Sequence, residues 1–217
     1  HSSKFVEERE SDKNILTKVA FNCFHALKKT GIKKYDRFVV ETSESITEWN
    51  VNNTIVIPNP LWFTSGKSSA LENNKVIAVG RHTYEKGFDR MLQIWKKVIA
   101  KHPDWILEIY GKSNESIHLR ELAKSLDISK NVVFYEPVRN INEKYLQASF
   151  YLMTSRFEGF GMVLIEAMAS GLPCVAYDCP CGPRGVLSQK EDGFLIENGN
   201  ESDYVKAVET LIENIKL

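Results

Sequence analysis

From Lys75 onward, short β-rich runs alternate with stretches whose apolar residues recur at helical spacing. The β-rich runs are Val76–Val79, Ile106–Tyr110, Val132–Tyr135, Phe150–Met153, Cys174–Tyr177 and Phe194–Ile196. They are almost continuously apolar instead of alternating, the pattern of parallel strands covered on both faces. Between them lie helical stripes: Phe88, Met91, Leu92, Trp95, Val98 and Ile99; then Leu119, Leu122, Ala123 and Leu126; then a short one at Tyr145 and Leu146. A further helix runs from Gly161 to Ser170, closed by Gly171 and Pro173. Tyr204, Val205, Val208, Leu211, Ile212 and Ile215 make the last stripe. Strict alternation of this kind specifies a doubly wound parallel α/β domain over residues 75–217.

Residues 1–58 read differently. Ile15, Leu16, Val19, Cys23, Phe24 and Leu27 give an amphipathic helix ending near Gly31, followed by a strand at about Arg37 to Val40. A turn or short helix over Ser45 to Trp49 and a strand at Thr54 to Ile57 come next, stopped by Pro58-Asn59-Pro60. Two or three elements cannot bury a core of their own. They are expected to be the tail end of a preceding domain, with residues 59–74, rich in Ser, Gly, Asn and Pro, as the linker. The chain starts at His1, as a processed product or an excised fragment would.

Composition removes several function classes. Lys plus Arg and Asp plus Glu balance at 28 each, so no global field recruits nucleic acid or anionic lipid. No basic patch with interleaved aromatics stands out. No run reaches the roughly 18 apolar residues of a membrane-spanning helix, and the polar opening HSSKFVEERE is no signal peptide. Cys174, Cys179 and Cys181 cluster, but without the paired spacing of a zinc site; reduced thiols are expected.

The stretch from Glu158 to Glu166 carries the chemistry. It sits just past the Phe150–Met153 strand, where ligands gather in open α/β sheets. Gly159 and Gly161 let the backbone approach a ligand closely, and the first amides of the following helix form a phosphate site. If the span is helical throughout, the two carboxylates lie about 12 Å apart along the axis. That is comparable to the reach from a sugar across a diphosphate to a ribose. Carboxylates accept hydrogen bonds in pairs, which suits vicinal hydroxyls. The competing reading makes Glu158 a helix N-terminal charge and Glu166 a partly buried salt-bridge partner.

The run Ser155-Arg-Phe-Glu-Gly-Phe-Gly-Met-Val-Leu-Ile-Glu-Ala-Met-Ala-Ser-Gly-Leu-Pro173 resembles the Glu-x7-Glu signature of retaining family 4 glycosyltransferases, which have the GT-B fold. Asp178-Cys-Pro-Cys-Gly-Pro-Arg184 and Asp192-Gly-Phe-Leu195 resemble that family's later Gly-Pro turn and its following strand start. Upstream, Val79-Gly-Arg81 and Glu85-Lys-Gly87 resemble its Gly-Arg…Lys-Gly element. The matches fall in order between residues 75 and about 200.

The resemblance implies a Rossmann-like donor-binding half of a GT-B enzyme. Gly80, Arg81 and Lys86 would grip the diphosphate, and Glu158 would contact the donor sugar, making Arg81, Lys86 and Glu158 the implied catalytic set. Cations aimed at a leaving diphosphate stabilise charge that develops in the transition state. Glu166 would hold the ribose hydroxyls. Backbone at Gly159, Phe160, Gly161, Met162 and Val163 would meet the phosphates, and Val138 and Arg139 would lie where the base is read. The family retains anomeric configuration, with front-face displacement favoured over a covalent intermediate; Glu158 is not assigned as a nucleophile. His82 is expected to be a loop residue and not the family's catalytic histidine, which comes from the N-terminal domain.

The implied function is transfer of a hexose from a nucleotide-sugar, with UDP preferred and GDP and ADP open, to a saccharide or lipid-linked acceptor held by the N-terminal domain. The setting is bacterial surface polysaccharide or lipopolysaccharide synthesis in the cytoplasm, against the inner membrane face where the acceptor is lipid-linked. No cofactor and no metal are expected; Asp127, Asp178 and Asp192 read as turn or cap residues. Gly111-Lys112-Ser113 imitates the end of a P-loop, but Ile106 occupies the position of its first glycine. Two alternatives remain: a donor-binding module inactive on its own, and a GT-B-like sugar-nucleotide epimerase.

Overall fold

A computed structural model describes residues 15–63, 66–188 and 191–215. The polar stretch 1–14 and the side chains of Ile15 and Ile215, counted in the stripes above, lie outside the described residues. The chain begins with α1 (Ile15–Ile32), β1 (Phe38–Val40), α2 (Ser43–Trp49) and β2 (Thr54–Val56). Then come β3 (Lys75–Val79), a 3-10 turn at Tyr84–Lys86, α3 (Phe88–Ile99) and β4 (Ile106–Tyr110). They are followed by α4 (Leu119–Ser125), β5 (Val132–Tyr135), α5 (Ile141–Tyr145), β6 (Phe150–Met153) and α6 (Met162–Ala169). The last elements are β7 (Cys174–Asp178), α7 (Pro183–Val186), β8 (Gly193–Glu197) and α8 (Glu201–Ile215).

Six strands form one parallel sheet in the order β5-β4-β3-β6-β7-β8. The chain winds outward from β3 to one edge, then returns to the other side of β3 and winds outward again. This is the doubly wound α/β fold expected. The reversal lies between β3 and β6, where Val76 pairs with Phe150 and Ile77 with Tyr151. Loops leaving the carboxyl ends of those two strands flank the crevice in which such sheets bind ligands.

The continuous apolar runs now have their cause. Val76, Ala78, Leu107, Ile109, Leu152 and Val175 point to one face and pack with Met91, Trp95 and Tyr204 from α3 and α8. Ile77, Tyr151, Met153, Cys174 and Ala176 point to the other and pack with Tyr145 and Leu164 from α5 and α6. The strands are therefore apolar at nearly every position, not every second one; Glu108 of β4 is an exception, buried and bonded by the Tyr110 hydroxyl.

Among the described residues the two N-terminal strands pair only with each other, β1 with β2 in parallel. Helix α1 forms where its periodicity predicts, but its apolar stripe is not buried. Leu16 is 81% exposed and Leu27 70%, with Val19 and Phe24 also open to solvent. The face that packs is centred on His25, whose ring stacks on Phe21 and on Trp49 of α2. Two strands of three residues each are too short to cover an 18-residue helix. The segment after Pro60 is fastened to the larger sheet: the Ser69 amide donates to the Ser170 carbonyl, and its hydroxyl to the Ala148 carbonyl. No helix among the described residues is long and apolar enough to cross a membrane.

Candidate functional site

The loop after β3 delivers Lys86 on the 3-10 turn, and the loop after β6 delivers Glu158. Their side chains meet at the crevice: Lys86 Nζ lies 2.7 Å from Glu158 Oε1. The same oxygen accepts a hydrogen bond from Ser155 Oγ at 2.6 Å. Glu158 is 9% exposed, so its charge is satisfied by these two partners in a sheltered setting. The aliphatic stem of Lys86 lies across Gly80, where an added Cβ would come within 3.2 Å of it. Gly182, opening the Gly-Pro turn, packs on the other side, its Cβ position 3.0 Å from Glu158 Cβ. Arg81 is exposed beside them.

Two guanidiniums brace the loops. Arg156 forms a bidentate pair with Asp89 at 2.8 and 2.6 Å and donates to the Tyr84 carbonyl, lying 4.0 Å over the Tyr84 ring. Burial pushes the Asp89 carboxyl up, but the hydrogen bonds and charge of Arg156 outweigh it and hold it below its usual range. Arg90 donates to the Thr154 carbonyl and Thr154 Oγ1 donates to the Gly87 carbonyl, so the two loops are stitched twice more.

The span from Glu158 to Glu166 is not helical throughout. Gly161 sits at φ 85°, in the left-handed region, and the helix begins only at Met162. Glu158 therefore stands in the loop and only Glu166 rides on α6. Of the first-turn amides of α6, that of Leu164 donates to the Gly161 carbonyl at 2.9 Å, whereas those of Met162 and Val163 have no carbonyl one turn back and Gly161 offers no side chain to cap them. Phe160 is buried; Gly159, Met162 and Val163 are half-buried at this helix start. Glu166 is 9% exposed, and each of its oxygens has a donor: Trp62 Nε1 on Oε1 at 2.7 Å and Tyr145 Oη on Oε2 at 3.0 Å. No cation pairs with it among the described residues, which leaves the salt-bridge reading of Glu166 without support.

Val138 and Arg139 stand apart, exposed beyond the end of edge strand β5, with β4 between it and β3. His82 is in a loop, as expected, but its ring is buried edge-on between Phe88 and Phe134. Burial lowers its pKa, with Glu136 opposing and Arg120 reinforcing, so it is a neutral packing residue.

A family model described as glycosyl transferases group 1 matches residues 64–217. The chain belongs to this family. It is 38% identical over 187 residues to an uncharacterized glycosyltransferase of Haemophilus influenzae, covering 84% of this chain and 53% of that protein. It is 36% identical over 148 residues to the amylovoran biosynthesis glycosyltransferase AmsD of Erwinia amylovora, covering 68% and 41%. A solved structure of a TarM variant from S. aureus, in complex with fondaparinux, alpha-GlcNAc-glycerol and UDP, superposes with a TM-score of 0.79 at 22% identity, covering 87% of this chain and 39% of that one; at that identity the likeness is one of fold. The chain spans about half the length of the curated relatives it matches.

In this member of the group 1 family, sequence reasoning missed four residues that hold the crevice: Ser155, Arg156, Trp62 and Tyr145. Ser155 carried a signal, a hydroxyl three residues before a carboxylate. Trp62 carried another, a large aromatic in a segment of Ser, Gly, Asn and Pro.

The cysteines beside the crevice are sheltered thiols. Burial, reinforced by the Glu158 charge, pushes Cys179 up to about 12. Cys181 donates its thiol to Glu48 of α2 at 3.2 Å, and Cys23 is exposed. Iodoacetamide at pH 8 is expected to label the folded chain at Cys23 and all four cysteines after unfolding, as read by mass spectrometry. Rapid native labelling at Cys179 would show that this loop opens.

Proposed function

We propose that this chain is the nucleotide-sugar-binding half of a retaining glycosyltransferase that moves a hexose from a UDP-sugar to a saccharide or lipid-linked acceptor. The observation that carries it is the Lys86–Glu158 pair at the sheet reversal, beside the uncapped start of α6. In this reading the diphosphate draws Lys86 away from Glu158, and Arg81 adds a second cation. Glu158, freed, accepts from the sugar hydroxyls. The α6 amides take the phosphates, Glu166 takes the ribose diol, and backbone at Val138 and Arg139 reads the base. With two cations serving the leaving group, the reading needs no metal ion.

A cleft of about 570 Å3 between β1, α2 and residues 58–60 reaches Gly159 and Cys181, and so adjoins the sugar end of this set. It gives an acceptor a route to Glu158. UDP is favoured as the donor base because the TarM complex contains UDP. A surface-polysaccharide role draws on the amylovoran relative. The setting proposed is the cytoplasm, at the inner membrane face where the acceptor is lipid-linked.

The test is calorimetric titration with UDP, GDP, ADP and NAD, without added metal. Saturable binding of UDP is expected. Lys86→Ala is expected to weaken it by at least about tenfold, as loss of a charge-assisted contact of about 1.5–3 kcal/mol implies. Equal UDP binding by Lys86→Ala, with its circular dichroism unchanged, would remove Lys86 from the diphosphate site.

A further inference from the structure

Glu166 lies at the meeting point of three separate pieces of chain, and its two oxygens are held in unlike ways. Tyr145, on α5, is fully buried and donates to Oε2. It packs edge-on against Tyr151 of β6, so its hydroxyl is fixed by the core. Burial, with Tyr151 and the Glu166 charge adding to it, pushes this phenol well above its ordinary range, and it stays a donor at any working pH. Trp62, from the segment joining the two sheets, donates to Oε1 but keeps a ring 60% exposed. Its packing partner is Phe63 beside it, edge-on at 4.8 Å. One donor is therefore built into the core, while the other reaches in from solvent.

A vicinal diol places two hydroxyls on one carboxylate and needs that carboxylate fixed in rotation, with one oxygen open. We propose that Tyr145 is the positioning residue for the diol-binding carboxylate, and that Trp62 holds the oxygen that a nucleoside ribose takes over when it binds. This rests on the assignment of Glu166 to the ribose given above. The indole N–H offers Oε1 one donor, as a ribose hydroxyl would, so the exchange leaves no buried acceptor unmet. Binding then costs the displacement of an exposed ring, while Phe63 and Ser69 keep the rest of the segment in place. The Trp62 side chain thus responds to an occupied donor site.

The experiment compares UDP with 2′,3′-dideoxy-UDP by calorimetry on the wild type, Tyr145→Phe and Trp62→Phe. The wild type is expected to prefer UDP by at least about tenfold, the worth of hydrogen bonds to a charged acceptor. Tyr145→Phe should cut that preference to within about threefold while leaving dideoxy-UDP binding as it was; a purely structural role would weaken both probes together. Trp62→Phe removes the N–H and shrinks a ring that is mostly exposed, and should tighten UDP about threefold with no change for dideoxy-UDP. A full diol preference in Tyr145→Phe overturns the positioning role, and unchanged UDP affinity in Trp62→Phe overturns the exchange. If Tyr145→Phe does not fold, Trp62→Phe decides. Wild-type binding of UDP without diol preference, or no binding at all, overturns the ribose assignment and this proposal with it.

Discussion

Replacing Gly87 by alanine is expected to lower the melting temperature by about 10 °C, against about 3 °C for Gly199→Ala. Both glycines have positive φ, 65° and 89°, where a side chain costs roughly 1–2 kcal/mol. They differ in what a side chain would meet. At Gly199 there is nothing within 4 Å, whereas at Gly87 the new Cβ would sit 2.1 Å from the Thr154 carbonyl oxygen. That oxygen belongs to backbone and cannot swing aside, so the two loops must part, at about 2–3 kcal/mol more. In a domain of this size each kcal/mol shifts the midpoint by about 2–4 °C. The loops that would part are those bearing Lys86 and Glu158, so affinity for UDP should fall with stability. Equal shifts for the two variants, read by differential scanning calorimetry, would mean that the loops are not in close contact.

Glu166→Ala is expected to reduce UDP binding by about a hundredfold and to lower stability as well. The surroundings of the carboxylate give it a structural role beside the binding one. Without the carboxylate, the buried Tyr145 hydroxyl has no acceptor, a deficit of about 1–3 kcal/mol. Glu166→Gln separates the two effects. It keeps an acceptor for one donor, so most of the stability should return, while the charge that strengthens hydrogen bonds to the diol does not. Binding in Glu166→Gln as tight as in the wild type would show that the charge is irrelevant to the ligand. Stability in Glu166→Ala equal to the wild type would show that Tyr145 finds another partner.

The sheet was legible because its cause is local. Val76, Ile77 and Ala78 are apolar in sequence since helices cover both faces, and nothing distant is needed to read that. The site was legible in part. Lys86 and Glu158 could each be picked out, but their union across 72 residues could not, because an ion pair leaves no trace in spacing. The helical ruler laid from Glu158 to Glu166 failed at Gly161, where a left-handed residue breaks the helix before it can begin. Trp62 and Glu166 are 104 residues apart and joined by one hydrogen bond, which no periodicity records. The stripe on α1 misled in the opposite sense: its period gave the helix correctly, but period alone does not say which side is covered. There the rings of His25 and Trp49 decide the packing, not the leucines.

The fork of Arg156 has a practical consequence for anyone who would graft the loops at this crevice. Its partners, Asp89 and the Tyr84 carbonyl, lie in the other loop's segment and not in the shared core. A graft of residues 154–158 alone would import a guanidinium without its carboxylate, or strand Asp89 without its cation. The interchangeable unit is thus a matched pair of segments, about 80–90 and 154–158, carried together on an unchanged sheet.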